Sequence, residues 1–308
     1  MVFLNCYVMY ISFPAIGGGV QLYAWARKSG MDLIIPFILI AAAELLLYAG
    51  HMQAAMIVHG INLVGLALAA AYVEDRSFQA LMLLPLFRLL NIAMPVFFSL
   101  TLYSYILVYA PMFLPVILII KERRFTSAEI GFRQSNFGFL IPLGAAVGLV
   151  LGWMEYNVIH PERITPDETL ESLFILTLIM IIFVGFIEEF IFRSALQTVL
   201  EDRWGSFRGL VGASVLFGLM HSGYHVMAEL FFVTFAGMVF GYFFQRTRNL
   251  AAISVAHGVT NVSLFMITPI NPSPVLPVIY VVLVASILTI GWKLSGAPST
   301  WLSASQDR

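Results

Sequence analysis

The sequence predicts an all-α fold: a polytopic bundle of transmembrane helices with about eleven spans (range nine to eleven) and its unusual polar residues in the C-terminal half. Three observations predict it. Of 308 residues, 60% are hydrophobic and only 11% are charged, against about 25% charged in a soluble domain. Mean hydropathy is +0.91. Apolar runs of about 20 residues, enough to cross a hydrocarbon core of about 30 Å, recur along the whole chain. The net charge of −1 gives no basic surface for nucleic acid. Cys6 is the single cysteine, which excludes an internal disulfide framework and a cysteine-based zinc site. No basic segment precedes the first apolar run, so a cleaved signal peptide is not expected.

In chain order, the expected spans are 2–25, 33–49, 52–73, 78–99, 103–120, 136–154, 173–200, 209–224, 228–245, 250–268 and 275–293. The first is interrupted by Asn5, Pro14 and Gly17 to Gly19, and 209–224 is short. Basic residues fall in every second loop: Arg27 and Lys28, Arg76, Lys121 to Arg133, Arg203 and Arg208, then Arg246 and Arg248. The segment from Glu155 to Glu171 holds five acidic residues against Arg163. The positive-inside rule therefore places the basic loops and the C-terminus in the cytoplasm. The expected location is a multi-pass position in a cell membrane, with a prokaryotic cell the simplest setting.

Four segments follow from this reading. Residues 1–120 are helices of unknown role, 121–135 a cytoplasmic connector, 136–293 the chemistry-bearing core, and 294–308 a polar tail. In the connector, Thr126 or Ser127 is placed to cap a short interfacial helix.

The core holds charges where lipid tolerates few. Glu188 and Glu189 lie side by side in an apolar run, with Arg193 following; a charge at membrane depth costs roughly 2.5–3.5 kcal/mol on insertion scales. Glu189 and Arg193 share a helical face and can pair. Glu188, turned about 100° away, has no local cation and suits a base. Phe217 and His221 are four apart in FGLMH, and His257 and Asn261 four apart in HGVTN. Gly258 beside His257 permits close helix approach.

Depth connects these residues. At the helical rise, Glu189 lies about 18 Å from its basic end, His221 and Asn261 about 19 Å and His257 about 13 Å. Three helices thus place polar groups in one layer. Carboxylates, imidazoles and an amide suit water activation, with His and Asn donors for a developing oxyanion. A divalent metal held by Glu and His would also activate water, and such ligation is compatible with zinc, although HExxH is absent.

Read together, EEFIFR (Glu188 to Arg193), FGLMH and HGVTN resemble the EExxxR, FxxxH and HxxxN motifs of the CPBP family of CAAX-protease and bacteriocin-processing intramembrane endopeptidases. The resemblance covers about residues 125–293 and includes IGFRQSNF ahead of the first core helix. It implies that Glu188 is the general base, that Glu189 and Arg193 orient the site, that His221 binds or polarises water or ligates a metal, and that His257 and Asn261 form an oxyanion hole. It implies a hydrophobic or prenylated peptide substrate in the bilayer; the oligomeric state is open. The competing readings are a non-catalytic membrane scaffold, immunity or regulatory protein, and an ion-coupled transporter. Outside the motifs, Glu44, His51, His59, Arg88 and Asn91 are read as structural glue, with substrate gating the alternative.

Overall fold

A computed structural model describes residues 27, 30–73, 75–97, 103–122, 124–132, 136–165 and 167–295. The expected first span, 2–25, lies outside them. Each other expected span is met by a helix: α1 Ile34–Tyr48, α2 Met52–Val73, α3 Arg76–Phe97, α4 Ser104–Lys121, α5 Phe137–Ile159, α6 Leu170–Trp204, α7 Ser206–Leu219, α8 Met227–Thr247, α9 Leu250–Ile270 and α10 Val275–Ser295. Seven of the described helices are long and apolar enough to cross a membrane, and Val275–Ser286 is a shorter apolar one. Among the described residues there is no strand beyond an isolated bridge between Phe132 and Asn249. Apolar side chains also cover the outside. On α2, Ile57, Ile61 and Val64 are each about 60% exposed, an arrangement costly in water and ordinary against lipid. This is an integral membrane protein.

The loop charges gather at one end of the bundle. Arg76 meets Glu129 at 2.8 Å and Asp202 at 2.5 Å, Arg248 meets Glu201 at 2.6 Å, and Arg203 bridges Asp32 and Asp75. Five basic segments that the charge alternation puts on one side therefore do share one side. The connector docks there too. Thr126 and Glu129 exchange capping bonds: the Thr126 amide donates to the Glu129 carboxylate at 2.7 Å, and the Glu129 amide to the Thr126 hydroxyl at 3.2 Å. They close a single turn rather than the expected helix, because Gly131 at φ +83° redirects the chain. The Leu250 amide then donates to the Gly131 carbonyl at 2.9 Å and Ser194 Oγ to the Ile130 carbonyl at 2.8 Å. Ser194, an unpartnered residue in sequence, thus anchors the connector.

Small residues set the core spacing. Gly144, Gly148 and Gly152 form a stripe on α5 against α9, where an added Cβ would lie 2.5, 2.3 and 2.2 Å from the carbonyl oxygens of Ala252, Ala256 and Thr260. Such a stripe lets membrane helices approach backbone to backbone. Gly258 does the same for α6, as its sequence position suggests: a Cβ there would meet Ile181 at 2.5 Å.

Two expectations are corrected. Helix α7 stops at Leu219 and is 14 residues long, about 21 Å, so His221 sits in the turn beyond the helix and not within a 209–224 span. Helix α5 runs to Ile159, so Glu155 is not in an outer loop; it is buried beside Glu229 of α8.

Candidate active site

Helix α6 changes pitch around its two glutamates. Residues Met180–Gly185 and Phe190–Gln197 are π-helical, and Phe186–Glu189 between them is α-helical. Such wide turns are uncommon and concentrate at functional sites. They carry Glu188 and Glu189 to opposite sides of one imidazole. His257 Nδ1 lies 2.7 Å from Glu189 Oε1, and Nε2 lies 3.8 Å from Glu188 Oε2. A carboxylate only accepts, so Nδ1 carries the proton and donates it to Glu189. The ring stacks on Phe240 at 5.5 Å and meets the edge of Phe217 at 5.7 Å.

Arg193 lies behind this pair and is fully buried. Its Nε approaches Glu189 Oε2 at 3.2 Å, near enough for an ion pair but misaligned for a hydrogen bond, and none of its nitrogens finds an acceptor. Aromatic faces take their place: the guanidinium carbon is 4.5 Å from the Phe217 centroid, with Phe192 and Phe240 at 5.9 and 6.0 Å. The cation is held by ring quadrupoles and by Glu189.

Glu188 and His221 share a cavity of about 300 Å³, whose lining also includes Tyr109, Arg88, Asn91 and Tyr224. The Tyr109 hydroxyl donates to Glu188 Oε1. His221 Nδ1 donates to the Phe217 carbonyl at 3.0 Å, which leaves Nε2 as the functional nitrogen. The exposed lining residues are Gly223 and Tyr224, at the end of α7 away from Arg208 and the basic loops.

The structure therefore joins Glu188, Glu189, Arg193 and His257 by direct contact and brings His221 to the same cavity wall. Asn261 is half-buried one turn beyond His257, outside the cavity lining and without a hydrogen bond to these residues. Glu188, His221 and His257, the three residues that would ligate a divalent metal, do not converge into a site. Among the described residues no three His, Cys, Asp or Glu side chains gather closely enough to hold an ion.

Four lining residues, Phe87, Arg88, Asn91 and Tyr109, come from the first half, where sequence reasoning read Arg88 and Asn91 as glue. Tyr109 is 12 residues from Lys121 and Arg88 is 12 from Arg76, each about 18 Å from the basic end. The depth argument applied to Glu189 finds both. Arg88 binds Glu44 through Nε at 2.7 Å and Nη2 at 2.8 Å.

Comparison with known families matches residues 170–263 to the Rce1-like family, described as Type II CAAX prenyl endopeptidase Rce1-like. The matched stretch contains all three motifs and excludes Tyr109 and Arg88. No curated protein and no solved structure matches the chain. Residues 170–263 thus match an Rce1-like domain, which supports the family resemblance that the three motifs carry.

Proposed function

We propose that the protein is an intramembrane endopeptidase that hydrolyses a peptide bond near the end of a prenylated or otherwise hydrophobic substrate. The observation that carries this reading is the shared cavity wall of Glu188 and His221, with the Tyr109 hydroxyl on the first and the Phe217 carbonyl on the second. A carboxylate and an imidazole fixed by different partners and open to one cavity are what water activation requires.

In this mechanism water enters between Glu188 and His221 Nε2. Glu188 takes a proton as the water oxygen attacks the scissile carbonyl. His257, as an imidazolium that keeps Nδ1–H on Glu189 and turns Nε2–H toward the cavity, and Asn261 are the donors toward the oxyanion. His257 is the nearer to Glu188, and Asn261 enters on the strength of its motif position. The C–N bond then breaks, and protonated Glu188 delivers the proton to the leaving amine. The steps are written for these side chains alone, since among the described residues no three His, Cys, Asp or Glu side chains gather closely enough to hold an ion.

Cavity size supports a short peptide occupant. At about 300 Å³ it lies at the low end for ligand pockets, enough for residues flanking the scissile bond and too small for a prenyl chain as well. The lipid portion would rest on the apolar outer faces of the helices. The test is cleavage of a prenylated C-terminal peptide by the purified full chain in lipid nanodiscs, comparing wild type with Glu188→Ala and His221→Ala. Loss of cleavage in both variants supports the reading. Undiminished cleavage in both overturns it, and full biological function in both with no cleavage by wild type favours a non-catalytic membrane protein.

A further inference from the structure

Resting on the peptidase reading above, we infer that Glu44, Arg88 and Ser222 form a strut through which the first half of the chain positions His221. The Glu44 carboxylate, fully buried on α1, is its centre. Arg88 of α3 grips both oxygens in a fork at 2.7 and 2.8 Å. Ser222 Oγ donates to Oε2 at 2.6 Å, and His59 Nε2 of α2 lies 3.1 Å from Oε1. Forked guanidinium–carboxylate pairs fix direction as well as distance.

The strut ends on the two neighbours of His221. Arg88 Nη2 also donates to the Met220 carbonyl, one of the acceptors a helix C-terminus leaves without an internal partner. Ser222 follows His221 directly. The residue between them is held by its own backbone amide, which donates to the Gly218 carbonyl at 3.0 Å, and by its ring bond to Phe217.

A support is needed here. His221 is outside α7, and the chain from Gly223 to Ala228 is exposed. A short surface segment tends to open locally, whereas a reacting imidazole must hold its place within about 0.5 Å. In the described structure the side-chain anchors on the residues flanking His221 come from α1 and α3, outside the matched family domain. Glu44, Arg88 and Ser222 are thus positioning residues, acting through His221.

The test has a spectroscopic and a kinetic arm. A nitroxide label is placed at Gly223→Cys in a Cys6→Ser background; a Cβ at Gly223 meets no atom within 4 Å. Ser222→Ala and Arg88→Lys should each make the label measurably more mobile, whether or not the protein cleaves peptides. Ser222→Ala is the gentler variant, since it leaves the Glu44–Arg88 fork intact. In cleavage of the prenylated peptide, Ser222→Ala should lower kcat about tenfold with KM within twofold. Ser222→Thr should restore it, and Ser222→Ala should add nothing in a His221→Gln background. Unchanged label mobility, or a Ser222→Ala loss that persists in full beside His221→Gln, overturns the proposal. Absence of cleavage by wild type would overturn the peptidase reading while the label arm still decides the strut.

Discussion

The Tyr109 hydroxyl donates to the Glu188 carboxylate across the interface between the two halves of the chain. Tyr109 is buried, its ring is braced at 5.2 Å by Phe87, and it lines the same cavity as Glu188 and His221. The bond chooses one orientation for a carboxylate that a helix alone would leave to rotate. Hydrogen bonds to charged groups contribute about 1.5–3 kcal/mol, so Tyr109→Phe should reduce kcat roughly ten- to hundredfold. Its thermal midpoint should fall by no more than one lost hydrogen bond costs, because the ring and its packing remain. Kinetics and a melting curve on one preparation check both halves of the expectation.

Arg193 should be the most stability-sensitive charged residue in the core. It is fully buried, and among the described residues Glu189 is its only ion-pair partner within 4 Å. Removing one member of a buried pair leaves an uncompensated charge and costs about 3–5 kcal/mol. Arg193→Met is therefore expected to melt well below wild type in detergent. The double variant Glu189→Gln with Arg193→Met should recover part of the loss, since neither charge remains. A double variant less stable than the single one would show that the Glu189 contact with His257, and not the lost ion pair, dominates the energetics of that carboxylate.

Stability should also respond to acid through the connector. Burial pushes the Glu129 carboxyl up, but the Arg76 guanidinium and the Thr126 amide and hydroxyl outweigh it and hold it down at about 2, against 4.5 ordinarily. A carboxyl lowered on folding stabilises the protein above its unfolded value, and that contribution fades as pH falls from 4.5 toward 2. Glu129→Gln should melt below wild type at pH 7, and the gap should narrow steadily at pH values under about 4.5. A gap of constant width across that range would contradict the assignment.

Much of this site was legible because burying charge in lipid is costly and the chain reveals where it does so. Glu189 and His257, on separate helices, meet at 2.7 Å, which the depth argument anticipates. Its regular-helix assumption is less accurate. A π turn holds more residues per turn and advances less per residue, and two such segments flank Phe186–Glu189; nothing in the sequence marks them. The depth argument also puts Asn261 at the level of Glu189, yet contact falls to His257. The end of α7 at Leu219 was hidden by an apolar run that continues to Met220. Tyr109 and Arg88 were legible by depth, but Arg88 was read as structural glue and Tyr109 was not singled out; a buried tyrosine hydroxyl nonetheless needs an acceptor.

Gly148 offers the sharpest test of how helix spacing supports the site. A Cβ at this position would sit 2.3 Å from the Ala256 carbonyl oxygen and 2.9 Å from Val259 Cβ. Both are on α9, on either side of His257, and the backbone oxygen cannot rotate away. Gly148→Ala must push α9 from α5, and overpacking of this kind typically costs about 1–3 kcal/mol. Because α9 also packs on α6 through Gly258, the displacement should reach the 2.7 Å contact between His257 and Glu189. Activity should therefore fall by more than the loss of folded protein explains. Gly138→Ala on the same helix is the control: its Cβ meets nothing within 4 Å, so stability and turnover should match wild type. Equal behaviour of the two variants would separate the α5–α9 spacing from the geometry of His257.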